Sequence, residues 1–370
     1  MNRQLCAAPR TAQHWQDIDF AAAERSVKKL QMRIAKAVKE QDWGKVKALQ
    51  WTLTHSFYAK ALAVKQVTEN KGKRTSGVDR ELWDTPAGKL KAIGKLRRRG
   101  YKAHPLRRVY IPKKNGKLRP LSIPTMTDRA MQTLYRFALE PIAETTADTH
   151  SYGFRVQRCV QDAIEHCFVS LSRTSGPQWV LEGDIKGCFD HISHEWIMAN
   201  IPMDKAILRQ FLKSGFMEKG KLFPTEEGTP QGGTISTVIC NMVLDGMEPM
   251  LKDYFVRKWV NGRMFNPKIN FTRYADDFIV TGTSPELLQQ EVKPMLQQFL
   301  LERGLTLSEE KTVITHIDDG FDCLGCNARK YNGKLLIRPS KAGIKAFLAK
   351  VRGIIRQNKA TQQKDLIMGL

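Results

Sequence analysis

The sequence predicts an α+β fold built from two or three sub-domains. Three observations carry this. Apolar residues recur at helical spacing over long stretches. Short apolar runs with strand character are gathered apart from those stretches, not alternated with them. A chain of 370 residues, 42% hydrophobic, also exceeds one ordinary core.

From Glu24 to about Val67 the spacing is helical, with Val27, Leu30, Ile34 and Val38 on one face, then Val46, Leu49 and Leu53. Asp42-Trp43-Gly44 separates the two, which predicts an antiparallel helical pair. Its polar faces carry Lys28, Lys29, Arg33, Lys36, Lys39, Lys45 and Lys47. Asn70 to Gly77 is a basic loop, and a helical stretch then ends at Arg97-Arg98-Arg99-Gly100. Arg107–Pro112 and Leu118–Ile123 read as strands around Asn115-Gly116, a strong hairpin signal. A helix follows from after Thr127 to about Glu144.

Trp179–Ile185 reads as a short apolar strand carrying Asp184, and Phe271–Val280 as two strand-like runs meeting at Asp276-Asp277. Leu287–Leu301 is helical. Phe321–Ile337, with Asn332-Gly333 inside, is another hairpin. Ser340–Ile355 is a basic helix with Ile344, Phe347, Leu348, Val351 and Ile355 on one face.

Lys and Arg number 60 against 37 Asp and Glu, a formal charge of +23. Such a field attracts a polyanion and retains it by counterion release, so nucleic acid is the expected partner. The longest uncharged stretch, Gly228–Leu244, is too polar to enter lipid, and no secretory h-region opens the chain. Seven scattered cysteines predict reduced thiols and a cytoplasmic setting. Cys323-Leu-Gly-Cys326 lacks a second ligand pair, so it reads as two apolar strand positions and not as zinc ligands. No Gly-Lys precedes Ser or Thr, which disfavours a P-loop ATPase.

Tyr274-Ala-Asp-Asp277 places two carboxylates at a tight turn. Asp suits turns for structural reasons alone. An acidic pair after an apolar strand is also how Mg²⁺ is held, with waters and substrate phosphates completing the shell. Phosphoryl-transfer enzymes commonly use two such ions about 4 Å apart, which requires a carboxylate from elsewhere. Asp184 is the candidate, with Phe189 and Asp190 just beyond it. Gly228-Thr-Pro-Gln-Gly-Gly233 is either a plain turn or a close backbone approach to a phosphate or base pair.

The order of Asp184 with Phe189, Thr-Pro-Gln-Gly-Gly, Tyr-Ala-Asp-Asp, Gly304–Thr312 and Phe321–Gly325 resembles palm motifs A to E of reverse transcriptases. The chain is more closely similar to bacterial group II intron reverse transcriptase/maturases. The finger-like segments are Asn70–Asp79, Pro105–Lys113, Arg119–Pro124, Asp128–Gln132 and Ser151–Arg155, and Pro339–Lys345 looks like the start of that family's thumb. The resemblance covers nearly everything after about Trp15. It implies a right-hand polymerase: an N-terminal helical segment (1–68), helical and β-hairpin fingers (69–140), a ferredoxin-like (RRM-like) antiparallel palm (141–338) and a partial thumb (339–370).

By the same resemblance, Asp184 and Asp276 hold two Mg²⁺ ions (Mn²⁺ as a substitute), with Asp277 beside them and the Ile185 carbonyl completing one site. Phe189 is the gate against a ribose 2′-OH. Lys113 and Arg119 grip the dNTP triphosphate, Gln231 and Gly232 line its pocket, and Lys311 protonates the leaving pyrophosphate. Each has a structural alternative: Phe189 as core, Lys113 as a solvated tip. Ile235-Ser-Thr237, Ser122 and Val156 depart from the family's usual Ser-Pro, Gly and Pro, and this bears on fidelity and rate.

The implied activity is RNA-directed DNA synthesis from a DNA or RNA primer on an RNA template, with binding of a group II intron RNA to assist splicing in a full-length form. Only the start of a thumb and no endonuclease is visible. A non-enzymatic splicing maturase and a domesticated polymerase in defence or repair remain as alternatives. Phe189 disfavours an RNA-dependent RNA polymerase. The sequence leaves homodimer formation open.

Overall fold

The computed structural model describes residues 12–112, 116, 118–260 and 263–369. The chain folds as two compact units, each assembled from separate stretches. The first comprises the chain up to Asp148, then Ile185–Gly246 and Phe299–Thr306; the second comprises Thr149–Asp184, Met247–Gln298 and the chain from Leu307 on.

In the first unit the helices Phe20–Lys39, Trp43–His55 and Phe57–Glu69 pack against the long helix Met126–Thr146. Ile34, Leu53, Val64, Leu139 and Ile142 form their buried seam. The expected helical pair is three helices. The first break falls at Glu40–Asp42, and Asp42 caps the next helix by accepting from the Lys45 N–H at 2.9 Å. Trp43 and Gly44 therefore lie inside that helix's first turn. The second break is the extended backbone of Ser56, which no Gly or Pro announces.

The first unit's sheet runs Leu118–Ile123, Leu106–Pro112, Phe216–Glu218, Lys221–Phe223. The first pair is antiparallel from Arg107↔Ile123 to Pro112↔Leu118, as its alternation predicts. The tip with Lys113, Lys114 and Lys117 lies outside the described residues. The Phe216–Phe223 hairpin was not expected, because three-residue strands are too short to show a period.

The second unit holds a four-stranded antiparallel sheet in the order Val313–His316, Trp179–Asp184, Asp277–Gly282, Phe271–Tyr274. Cys167 and Leu171 from the helix Val160–Leu171 join Val180, Ile279, Ile317, Phe321, Ala328 and Leu335 in one buried cluster. The stretch expected as one helix from Leu287 contains a π-helical turn, Leu288–Val292, before Lys293–Leu301. Pro294 accounts for it: its ring excludes a regular hydrogen bond to the preceding turn.

Phe321–Cys323, Cys326–Tyr331 and Lys334–Pro339 form a three-stranded meander, one strand more than the expected hairpin. Leu324 and Gly325 take φ of 50° and 84°, which makes a two-residue loop with Cys323 and Cys326 paired across its neck. The Cys-x-x-Cys spacing is thus the signature of a tight hairpin and not of one continuous strand. The helix Lys341–Gln357 is capped by Ser340, and its apolar residues Ile344, Phe347, Leu348 and Ile355 are exposed. Among the described residues no helix is long and apolar enough to cross a membrane.

Candidate active site

The acidic turn is built by close backbone packing. Tyr274 and Asp277 pair across it, so Ala275 and Asp276 are its two loop residues. Ala275 has φ of +59°, a left-handed conformation costing about 1 kcal/mol or more outside glycine. Two features hold it there. Arg273 is fully buried (0% exposed), and its guanidinium donates to the Ala275 carbonyl at 3.2 Å. The Gly153 backbone lies directly on the turn, where an added Cβ would sit 2.3 Å from the Ala275 nitrogen. Neither Arg273 nor Gly153 carries a local sequence signal of this role, although Gly153 falls within the finger-like segment Ser151–Arg155.

Asp184 ends its strand opposite Asp277, which begins the neighbouring one. Direct cross-strand partners have Cβ atoms about 5 Å apart. Asp276 is the adjacent loop residue. Lys311 reaches this group from the loop after Leu307, with its Nζ 2.9 Å from Asp184 Oδ2. The Asp184 carbonyl also accepts from the Ser308 N–H at 2.8 Å, which fixes the Lys311 turn to the strand end. Asp184, Asp276, Asp277 and Lys311 are therefore brought together in the second unit.

The electrostatics follow. Burial, then the charges of Asp276 and Asp184, push the Asp277 carboxyl up to about 6, and Lys311 pulls it the other way. The hydrogen bond to Asp184 raises the Lys311 ammonium, so it is protonated at neutral pH. Among the described residues no three acidic, His or Cys side chains are arranged to hold a single metal ion. The crowded carboxylates still suit a hard cation that takes one or two of them and completes its shell with water and phosphate oxygens.

The remaining candidates gather in the first unit. Arg119 Nε donates to Gln231 Oε1 at 3.0 Å, and Gln231 Nε2 donates to the Asp190 carboxylate at 3.1 and 3.2 Å. The Gly-rich segment is stitched down around this relay. Ser122 N–H donates to the Gln231 carbonyl, Thr229 N–H to that of Phe189, and Gly228 N–H to that of Ile192. Gly228 has φ of +78°, and a Cβ there would come within 2.5 Å of the Asp190 carbonyl oxygen. Gly232 has φ of +117°, with the Ser122 carbonyl oxygen 2.8 Å from where its Cβ would be. Only glycine fits either place.

Phe189 is 9% exposed, and with Asp190, Gln231, Ser122 and Arg108 it lines a cleft of about 320 Å³. Ile185, next after Asp184, is buried. Lys113 lies outside the described residues. Asp190 has no sequence signal beyond its position directly after Phe189.

The family described as reverse transcriptase (RNA-dependent DNA polymerase) matches residues 111–328, and the N-terminal domain of reverse transcriptase matches residues 15–96. The chain belongs to the reverse transcriptase family. Its fold class is accordingly α+β, of the right-hand polymerase type. This reverse transcriptase chain is 37% identical to the Escherichia coli protein YkfC over 258 residues, 61% of this chain and 67% of that protein. It is 31% identical to the group II intron-encoded protein LtrA of Lactococcus lactis over 82% of this chain and 62% of that one. The chain thus spans about two thirds of the length of these curated relatives. A telomerase from Candida albicans overlays with a TM-score of 0.48 at 15% identity, over 70% of this chain and 51% of that one. That overlay adds nothing to the assignment.

Proposed function

We propose that this chain is an RNA-directed DNA polymerase of the group II intron type, with Asp184, Asp276 and Asp277 as its catalytic carboxylates. The observation that carries the reading is the register Asp184↔Asp277, with Asp276 beside it and Lys311 on Asp184. The expected parts are an N-terminal helical segment to residue 68, fingers over 69–140, a palm over 141–338 and the start of a thumb from 339.

In the proposed reaction the primer 3′-oxygen forms a bond to the α-phosphorus of a dNTP, and the bond to pyrophosphate breaks. Divalent cations of the Mg²⁺ type, when bound, lower the hydroxyl pKa and offset charge on the departing phosphates. Asp184, Asp276 and Asp277 would supply oxygen ligands, with the Ile185 carbonyl as a further one. Arg119, held by Gln231, would bind the triphosphate, and Lys113 is assigned to it by the family resemblance alone. Phe189 closes the pocket where a ribose 2′-OH would lie. Lys311, kept protonated by Asp184, can give a proton to pyrophosphate as it leaves.

Primer extension on poly(rA)/oligo(dT) with Mg²⁺ and dTTP tests this. Incorporation lost in Asp184→Ala supports it, and no incorporation by the unaltered chain overturns it. Intron RNA binding is a second proposal, supported by the +23 charge and the likeness to an intron-encoded protein. A gel shift that fails to separate intron RNA from random RNA would remove it.

A further inference from the structure

The strand that leads into the acidic turn, Phe271–Tyr274, lies at the edge of its sheet and is braced from a polar cluster on its outer side. Ser151 bridges Arg273. The Arg273 N–H donates to the His150 carbonyl at 2.9 Å, and the Tyr152 N–H donates to the Arg273 carbonyl at 2.8 Å. Arg273 in turn holds the Ala275 carbonyl. The direction of the His150 carbonyl is therefore passed on to the turn.

Glu248, on the helix Met247–Tyr254, grips His150 twice. One carboxylate oxygen accepts from the His150 backbone N–H at 2.9 Å, and the other lies 2.6 Å from its ring Nδ1. Glu248 is 2% exposed. Burial opposes its ionisation, but hydrogen bonds from His150 and Lys252 outweigh this and hold the carboxyl down at about 2. Ionised, it can only accept, which places the His150 ring proton on Nδ1. His166 stacks on the same ring, with centroids 3.6 Å apart and planes 12° apart, and its own Nδ1 is 2.7 Å from Thr272 Oγ1. Burial, then the neighbouring His150, pushes His166 down to about 4, so it stacks as a neutral ring. Two adjacent strand residues are thus braced, Thr272 through its side chain and Arg273 through its backbone. An apolar contact would join helix to strand without the desolvation cost of a buried carboxylate. What the carboxylate adds is direction.

We propose that Glu248 is a positioning residue for the metal ligands: through His150 and Arg273 it sets where the acidic turn carries Asp276 and Asp277 relative to Asp184. The inference rests on the polymerase reading and adds to it a residue that touches neither metal nor substrate. Outer partners of metal ligands typically govern roughly 10- to 100-fold in metal affinity.

The test is Mn²⁺ binding to the full chain without nucleic acid, followed by EPR, alongside thermal melting in EDTA. Glu248→Gln keeps the size of the side chain but loses the charge that orients the His150 ring. It should weaken Mn²⁺ binding on the order of tenfold, and the Mg²⁺ concentration for half-maximal primer extension should rise by a similar factor. Glu248→Asp, charged but one methylene too short to reach both His150 groups, should do the same and serves if the amide variant does not fold. Lys252→Met removes another partner of Glu248, spares the His150 clamp, and should bind Mn²⁺ like the unaltered chain. A merely structural role would lower the number of folded molecules and not the Mn²⁺ affinity of those that fold. Unchanged affinity in the Glu248 variants, an equal loss in Lys252→Met, or a Glu248→Asp chain that does not melt cooperatively would each overturn the proposal. Failure of the unaltered chain to extend a primer, with the Mn²⁺ defect of the variants intact, would instead remove only the polymerase reading.

Discussion

Lys311 Nζ stands 2.9 Å from Asp184 Oδ2, two groups 127 residues apart in the chain. The contact ties the turn after Leu307 to the end of the Asp184 strand, and it sets one cation among three carboxylates. Lys311→Ala should slow primer extension by about 10²-fold with little change in hybrid affinity. If Lys311 only balances charge, the loss is the same at every pH. If it also gives a proton, the alkaline limb of the rate profile disappears in the variant.

Asp276→Ala removes a proposed ligand at the loop position of the turn. Primer extension should fall by on the order of 10³-fold or more, and RNA binding should stay within about twofold because the basic surface is untouched. Extension at the unaltered rate would show that the carboxylates are not the site.

Asp277 is the carboxylate whose ionisation opposes folding. Its folded value, about 6, lies above the ordinary 3.8, so the folded state binds the extra proton between those values. The stability this gives is complete below about pH 3.8 and is lost as pH rises through 6. In EDTA at pH 7.5, Asp277→Asn should therefore melt about 2 °C higher than the unaltered chain, a small figure because solvent reaches one side of the carboxyl at the strand end and screens its neighbours' charges. The difference should shrink to nothing near pH 4, and the variant should not extend primers.

Gln231 holds Arg119 on one side and Asp190 on the other. Gln231→Ala frees both. The KM for dNTP should rise about tenfold, with a smaller change in kcat, because the lost contact positions the nucleotide before reaction. Asp190→Ala should reproduce part of that rise without touching the triphosphate itself; steady-state kinetics on one template resolves the two.

Phe189→Ala should raise the ratio of rNTP to dNTP incorporation by about 10- to 100-fold, measured by competition on a single template position. An unchanged ratio would return Phe189 to the core, where its burial alone could place it.

Gly153→Ala places a methyl carbon 2.3 Å from the Ala275 nitrogen, which is backbone and cannot rotate away. The turn must shift. We expect a loss of about 1–3 kcal/mol in stability and a fall in kcat larger than the rise in the KM for dNTP.

Much was legible in the residues alone. The alternation of Arg107–Pro112 and Leu118–Ile123 around Asn-Gly determines a hairpin, because a period of two and a turn requiring positive φ leave little else. The acidic turn, the strand ending in Asp184 and the Gly-rich loop were legible for the same reason: each is a local pattern with a local cause. What acts over distance was not. The register that sets Asp184 opposite Asp277, the reach of Lys311 to Asp184, and the Arg119–Gln231–Asp190 relay join residues scattered along the chain, and no periodicity encodes them. The Cys323–Cys326 turn and the break at Ser56 were local but quiet, since neither depends on a strongly preferred residue alone. The sequence by itself determined which chemical groups this protein has. Tertiary structure decided which of them touch, because packing and hydrogen bonding select neighbours in space.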